Sequence, residues 1–241
     1  MDYDGVAGEY ERGRPAYAEA AIRHLIERAQ LDRGATVLDL GAGTGKLSRM
    51  LDAVGLSVIA VDPSTPMLAE LQAAAPRVRT LVGRAESIPL ERQSVDAVVA
   101  AQAFHWFDAA SALPEAHRVL KPGCVLALLW NRRDATDPTQ LLLAELTDPP
   151  ERQTPRGWQL DIPSILRDSG LFSDAELFEF GHAQPTDEAA LLDRLRSSSY
   201  VAALPAGRRR ALEQRLRKGL AELGSPRQLA YETLLYVARR R

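Results

Sequence analysis

The chain has 241 residues, of which 46% are hydrophobic and 26% are charged, an ordinary composition for a globular protein. Its net charge of −2 gives no basic footprint for nucleic acid. Its apolar runs are far shorter than the roughly 18 residues of a membrane span, and residues 1–11 lack the apolar core of an export signal. The single cysteine cannot form an internal disulfide. We therefore predict a cytoplasmic protein that binds neither membranes nor nucleic acid.

The first part of the chain alternates predicted helices with short apolar strands. Pro15 suits the first turn of a helix, and an apolar face at helical spacing follows it as far as Ala29. The segment 95–100 is apolar almost throughout, which is typical of a central parallel strand. Alternation of this kind predicts an α/β sheet with helices on both faces. The predicted strands are 37–40, 58–62, 78–82, 95–100 and 125–130, with a turn at Pro122–Gly123 before the last of them.

After Asp134 the composition changes. Residues 135–157 are rich in Pro, Thr, Asp and Arg around one short apolar stretch, so we expect an insertion that caps the ligand edge of the sheet. Further along we predict a helix at 162–167, a strand at 175–180, two helices within 187–223 and a last strand at 229–238.

The predicted first strand leads into a glycine-rich turn, Gly41-Ala42-Gly43-Thr44-Gly45. Alternate glycines allow positive φ and a close approach of the backbone to a ligand. The amides that open the following helix are unpaired within it, so the turn can face a polar group. A second apolar strand ends at Asp62, whose carboxylate suits two vicinal ribose hydroxyls. This pattern predicts binding of an adenosine-containing ligand.

The glycine spacing indicates which adenosine ligand is bound. A dinucleotide fingerprint requires G-x-G-x-x-G, but Lys46 stands at its third glycine position. Asp39, which precedes the first glycine, would repel a pyrophosphate and would attract an ammonium group. The pattern D-x-G-x-G-x-G resembles motif I of the class I S-adenosylmethionine (SAM) methyltransferases. A tight strand-to-helix turn without a ligand is the alternative, which the acids at both strand ends disfavour.

Other segments resemble this family in the same order. They are Tyr10-x-x-x-Arg14-Pro-x-Tyr, V-D-x-S-x-x-M-L at 61–68, G-x-A-E-x-I-P at 83–89, A-F-H-W-F-D at 103–108 and E-x-x-R-V-L-K-P-G at 115–123. The resemblance implies a Rossmann-like doubly wound α/β sheet of seven strands with the last strand antiparallel. It implies one domain, with an N-terminal lid at 1–34, a SAM-binding core at 35–134, and cap segments and C-terminal strands at 135–241.

The resemblance implies SAM as cofactor and S-adenosylhomocysteine as product, with roles for single residues. Tyr10 and Arg14 would close over the methionine end of SAM, Met67 would pack on the adenine, and Ala85 and Glu86 would recognise its edge. The predicted cofactor-binding residues are Tyr10, Arg14, Asp39, Gly41, Ala42, Gly43, Thr44, Gly45, Asp62, Pro63, Met67, Ala85, Glu86, Ala101 and Gln102.

Methyl transfer in this family takes place at the loop after the fourth strand, which here carries His105. A histidine titrates near neutrality, so His105 is the candidate general base, with lining of the pocket as its alternative role. No Cys and His cluster has metal-ligand spacing, so we predict no metal site. The predicted substrate-pocket residues are Phe104, His105, Trp106, Trp130, Arg132 and Tyr200.

The leading hypothesis is methyl transfer from SAM to an O, N or carboxylate acceptor on a small molecule. The motifs are similar to the branch that includes trans-aconitate methyltransferase, and Arg132 and Arg133 would suit an acidic substrate. The alternatives are a nucleic-acid or protein methyltransferase and a SAM-fold protein that binds without catalysis, while a nicotinamide dehydrogenase is disfavoured by Lys46. The sequence does not indicate the substrate or the oligomeric state.

Overall fold

The computed structural model describes residues 13–148, 157–224 and 228–241. The helices are α1 Glu19–Ala29, α2 Lys46–Ala53, α3 Thr65–Ala74, α4 Ala109–Val119, α5 Pro138–Thr147, α6 Ile162–Asp168, α7 Glu188–Arg196, α8 Ser199–Ala202 and α9 Ala206–Leu223. The strands are β1 Thr36–Leu40, β2 Ser57–Asp62, β3 Arg79–Val82, β4 Val95–Ala101, β5 Leu120–Arg133, β6 Glu176–Pro185 and β7 Gln228–Arg239. Short 3₁₀ turns lie at Phe104–Trp106 and Gly157–Gln159.

Seven strands form one sheet in the order β3-β2-β1-β4-β5-β7-β6. The strands β3, β2, β1, β4 and β5 are parallel neighbours, and the final strands are antiparallel. The strand order reverses between β1 and β4, and ligands of open α/β sheets bind beyond the carboxyl ends of the strands at such a reversal. The predicted fold class is therefore confirmed, and the glycine-rich turn after β1 lies at the switch point.

Local sequence explains where several helices begin. The Ser64 hydroxyl accepts a hydrogen bond from the Met67 amide at 3.4 Å, so α3 has a hydroxyl cap and a proline in its first turn. Asp137 caps α5 in the same way through the Gln140 amide. The helix α1 begins at Glu19, ends at Ala29, and has Gln30 in the left-handed conformation as its cap.

Three sequence predictions need correction. Pro15 does not lie in the first turn of a helix, because α1 begins at Glu19 with Ala18 as its N-cap. The predicted turn at Pro122–Gly123 is a bulge inside β5, because Leu120 already pairs with Val95 before the regular register resumes at Val125. Gly123 has a φ of +76°, which a bulge accommodates easily. The segment 187–223 forms three helices, since the short α8 separates α7 from α9.

The chain divides into two compact units. Among the described residues, the larger unit comprises 17–131, 157–180 and 233–241, and the smaller unit comprises 13–16, 132–148, 181–224 and 228–232. The larger unit has apolar clusters on both faces of its sheet, one around Trp130 and Phe172 and the other around Leu25 and Leu51. The smaller unit has its own core, made by leucines of α5, α7 and α9 with Tyr231.

Candidate functional site

The glycine-rich turn has three left-handed glycines, Gly41, Gly43 and Gly45, with φ of +72°, +56° and +81°. A Cβ on Gly41 would lie 2.6 Å from Ala103 Cβ, and one on Gly45 would lie 2.1 Å from Leu71 Cδ1. No atom of the described chain lies within 4 Å of the corresponding position on Gly43. Gly41 and Gly45 therefore allow close packing within the protein, whereas Gly43 faces open space where a ligand can approach.

Hydrogen bonds tie this turn to the end of β2. The amides of Gly41 and Ala42 donate to the Val61 carbonyl at 2.8 and 3.2 Å. The two carboxylate oxygens of Asp62 accept from the Gly43 amide at 2.9 Å and from the Ser64 amide at 2.8 Å. A carboxylate oxygen has more than one lone pair, so these bonds leave Asp62 capacity to accept further hydrogen bonds.

Asp39 is a buried acid, and one of its two carboxylate oxygens accepts no hydrogen bond from the described residues. Its side chain is 1% exposed, and its Oδ2 accepts a hydrogen bond from the Ser48 hydroxyl at 2.6 Å. Its Oδ1 has no hydrogen-bond partner among the residues that the structure describes. Burial, opposed by the Ser48 hydrogen bond and assisted by the nearby Asp62 charge, raises the pKa of Asp39 to about 7. An unpartnered buried carboxylate oxygen fits a cationic group of a ligand, as an ammonium would supply.

The loop after β3 contains the residues predicted to recognise the adenine. Met67 and Ala85 are both 4% exposed, whereas Pro63 is exposed. The Oε1 of Glu86 accepts a hydrogen bond from the Asp108 amide at 3.0 Å, so Glu86 links this loop to the one that carries His105. Thr44, in the glycine-rich turn, is 2% exposed.

The loop after β4 begins with a strained residue. Gln102 has a φ of +55°, and its amide donates to the Leu129 carbonyl at 2.8 Å, next to the register pair of Ala101 and Leu129. Non-glycine residues with positive φ concentrate at functional sites, where the surrounding structure enforces the strain.

The side chains of this loop have different environments. Phe104 is 4% exposed and packs edge-on against Phe107 with ring centroids 5.9 Å apart, so its side chain lies in the apolar core. His105 lies against Trp106, with ring centroids 4.7 Å apart. Trp106 is 50% exposed and offers an aromatic face to solvent.

Trp130, near the end of β5, is completely buried, and its indole Nε1 has no hydrogen-bond partner among the described residues. A Cβ on Gly157 would lie 2.1 Å from Trp130 Nε1 and 2.7 Å from His105 Nδ1. The structure therefore brings His105 and Trp130 together around Gly157.

The other predicted residues belong to the smaller unit or lie outside the description. Arg14 donates from Nη2 to the Ser197 carbonyl at 3.3 Å, and Arg132 forms an ion pair with Glu232. Tyr200 is partly buried against the leucine core of the smaller unit. Tyr10 lies outside the described residues.

Sequence reasoning missed several residues that support the site. Ser48 orients Asp39 from the first turn of α2, and Gly157 borders Trp130 and His105. Glu115 accepts from the Ile88 amide at 2.8 Å, and Arg118 donates to the carbonyls of Ile88 and Leu90 at 2.9 and 2.8 Å. The E-x-x-R pair thus holds the loop that follows Glu86. A polar residue in the first turn after the glycines was the available signal for Ser48.

Comparison with known proteins agrees with this geometry. Residues 38–128, which include the glycine-rich turn, Asp62 and the loop with His105, match the family profile of the methyltransferase domain. Over this segment the chain is similar to class I SAM-dependent methyltransferases. The trans-aconitate branch predicted from the motifs is not specifically indicated.

Relatives of this chain include proteins of known and unknown activity. An uncharacterised methyltransferase of Mycobacterium tuberculosis strain H37Rv is 52% identical over 134 residues, 56% of this chain and 54% of the relative. A malonyl-[acyl-carrier protein] O-methyltransferase of Yersinia pestis is 33% identical over 133 residues, 52% of this chain and 50% of the relative. The chain thus spans about half the length of the curated relatives it matches.

A solved structure extends the likeness of this chain beyond the matched segment. The putative type II methyltransferase from Anaeromyxobacter dehalogenans has a TM-score of 0.64 and 28% identity, covering 95% of this chain and 97% of that one. Within the described ranges, no helix has the length and apolarity to cross a membrane. Nor does any group of three or more His, Cys, Asp or Glu in those ranges have an arrangement for a metal ion.

Proposed function

We propose that this protein transfers the methyl group of SAM to an O, N or carboxylate acceptor on a small molecule. The observation that carries the proposal is the buried, unpartnered Oδ1 of Asp39 at the end of the strand that leads to the open side of Gly43. Both residues belong to the segment that matches the methyltransferase domain. A cation is the natural partner for such an oxygen, and SAM carries an ammonium group at its methionine end.

Each cofactor contact is assigned to a residue of this chain. Asp39 would accept from the ammonium group and Asp62 from the ribose hydroxyls. Met67, Ala85 and Glu86 would contact the adenine, and Tyr10 and Arg14 the methionine end. The remaining predicted cofactor residues would contact SAM through their backbone atoms; they are Gly41, Ala42, Gly43, Thr44, Gly45, Pro63, Ala101 and Gln102.

The chemistry then requires little beyond placement. When bound, SAM supplies a methyl group that is already activated, so alignment of the acceptor accounts for much of the rate. His105 is the proposed base for an acceptor that arrives protonated, since imidazole accepts a proton near neutral pH. Trp106 and Phe107 would exclude water from the acceptor, with Trp106 supplying an aromatic wall.

An acidic acceptor is the finer proposal. The Yersinia pestis relative is named a malonyl-[acyl-carrier protein] O-methyltransferase, and a malonyl group carries a carboxylate. This supports testing small carboxylic acids first, followed by phenols and amines. Small molecules are the proposed partners, with no nucleic acid or membrane.

Calorimetric titration of S-adenosylhomocysteine into the protein tests the cofactor assignment, with NAD as control. We expect micromolar binding of S-adenosylhomocysteine and none of NAD. Absence of binding to protein whose folding is verified by circular dichroism would refute the proposed roles of Asp39, Gly43 and Asp62 together. Binding without methylation of any acid, phenol or amine would favour the non-catalytic alternative.

Asp62→Ala is expected to weaken S-adenosylhomocysteine binding by about 1–3 kcal/mol, because buried ribose hydroxyls would lose their acceptor. It also removes the acceptor of the Gly43 and Ser64 amides, so stability should fall too. Asp62→Asn retains one acceptor oxygen and serves as the matched control, with a smaller loss expected. Unchanged affinity in the Ala variant would show that this acid does not contact the ribose.

A further inference from the structure

The fully buried indole of Trp130 has no hydrogen-bond partner for its N–H in the described chain. Leaving a buried donor unpaired costs about 1–3 kcal/mol, and native proteins rarely tolerate it without a reason. The main role of a buried tryptophan is apolar packing, and Trp130 does pack edge-on against Tyr236 with ring centroids 5.9 Å apart. A phenylalanine would supply that packing without the unpaired donor, so the N–H itself requires an explanation.

The position of Trp130 in the sheet is informative. Its neighbour Leu129 pairs with Ala101 at the carboxyl end of β4, immediately before the strained Gln102. The indole therefore lies at the edge of the sheet where ligands bind, beside the loop that carries His105. Asn131, the next residue of β5, is 4% exposed and accepts through Oδ1 from the Thr233 hydroxyl at 2.6 Å, so the strand end is held in place.

Gly157 provides the second observation. The position of its missing Cβ lies 2.1 Å from Trp130 Nε1 and 2.7 Å from His105 Nδ1, distances that no side chain tolerates. Gly157 is not among the glycines with positive φ, so its backbone conformation is open to other residues. What requires glycine here is the close approach of the two nitrogen-bearing rings to the chain.

We propose that the Trp130 indole N–H is the hydrogen-bond donor that fixes a carboxylate or carbonyl oxygen of the methyl acceptor, on the side of the site that also presents His105. The proposal rests on the proposed methyltransferase function and deepens it, since it assigns the acceptor to oxygen-bearing molecules. Gly157 lies over the N–H in the structure, so the proposal requires the 157–159 turn to shift when an acceptor binds. Trp130 is a specificity-determining residue in this scheme, because an acceptor without such an oxygen would leave the donor unpaired.

The test observes the indole protons directly. Protein labelled with ¹⁵N-tryptophan and saturated with S-adenosylhomocysteine is titrated with malonate and, as control, with 1,3-diaminopropane, which has the same chain length and no oxygen. The chain has three tryptophans, so three indole resonances are expected, and Trp130→Phe and Trp106→Phe identify two of them by their disappearance. We expect malonate to shift the Trp130 indole proton saturably, and the diamine to leave it unmoved.

Two variants make the interpretation specific. Trp130→Phe should bind malonate about tenfold more weakly or worse, the loss of one hydrogen bond to a charged group, while its S-adenosylhomocysteine affinity is retained. Gly157→Ala should abolish the malonate-induced shift, because the new methyl group displaces the indole. If Gly157→Ala fails to fold, Trp130→Phe alone carries the comparison.

The outcomes separate the two proposals. A Trp130 resonance that malonate does not shift, in protein with S-adenosylhomocysteine bound, overturns the donor role and leaves the methyltransferase function intact. Equal malonate affinity in Trp130→Phe and the parent protein also overturns the donor role without affecting the methyltransferase function. Failure of S-adenosylhomocysteine to bind refutes the proposed function, whereas a malonate shift in that same protein would still support the donor.

Discussion

The cofactor-free protein is expected to lose about 4 kcal/mol of stability as the pH rises from about 4 to about 7, and Asp39→Asn is expected to abolish this loss. Burial raises the pKa of Asp39 from 3.8 to about 7 on folding, and a tenfold change in an ionisation constant corresponds to about 1.4 kcal/mol. Between these values the folded protein binds a proton that the unfolded chain has released. Stability therefore falls with rising pH across this window, and the full loss is present above it.

Urea denaturation of the parent protein and Asp39→Asn at a series of pH values measures this difference. Other carboxylates are shared by the two proteins, so their contribution cancels in the difference between the two curves. Ser48→Ala is a useful companion: it removes the hydrogen bond that lowers the pKa of Asp39, so the fall in its stability should continue to a higher pH than in the parent protein. Parallel curves for the parent and Asp39→Asn would show that Asp39 ionises as readily in the folded protein as in the unfolded chain.

The same carboxyl group should govern the pH dependence of cofactor binding. An ammonium group is attracted by ionised Asp39, so S-adenosylhomocysteine should bind more tightly as the pH rises towards about 7. Asp39→Asn should bind S-adenosylhomocysteine more weakly, and its affinity should not increase over this pH range. Calorimetric titrations of both proteins across the same pH series measure the effect, and an identical pH dependence in the two would contradict it.

A set of three glycine variants is expected to separate backbone strain, packing and ligand contact. Gly34, Gly43 and Gly45 all have positive φ, so alanine at each costs about 1–2 kcal/mol of strain. Gly34 and Gly43 have no atom of the described chain within 4 Å of the Cβ position, whereas Gly45 has Leu71 Cδ1 at 2.1 Å. Gly45→Ala should therefore lose about 2–5 kcal/mol in all, because overpacking adds to the strain.

Ligand binding distinguishes Gly34→Ala from Gly43→Ala, the two variants whose new methyl group meets no other atom of the described chain. Gly43→Ala should be as stable as Gly34→Ala, yet bind S-adenosylhomocysteine at least about tenfold more weakly, a loss of about 1.4 kcal/mol or more. Gly34→Ala should bind normally, since it lies outside the glycine-rich turn. Urea denaturation and calorimetry on the three variants measure both quantities. Normal binding by Gly43→Ala would place the ligand elsewhere.

Elements with a local signal could be predicted before the structure was known. Apolar runs such as 95–100 become strands because a central parallel strand is buried on both faces. Ser64 and Pro66 mark the start of α3 because a cap and an N-terminal proline act within a few residues. The glycine-rich turn and the acids at the ends of β1 and β2 were recognisable for the same reason, and their order indicated the family.

Only the tertiary structure decided which distant residues meet. The position of β7 between β5 and β6 depends on long-range pairing, which local propensity does not encode. Ser48, at the start of α2, donates a hydrogen bond to Asp39 at the end of β1, and this contact, with burial, sets the pKa of the acid. Gly157 borders Trp130 and His105 although it is far from both in sequence. No local sequence pattern marks these three residues as neighbours. Their proposed roles depend on burial and proximity, which exist only in the folded chain.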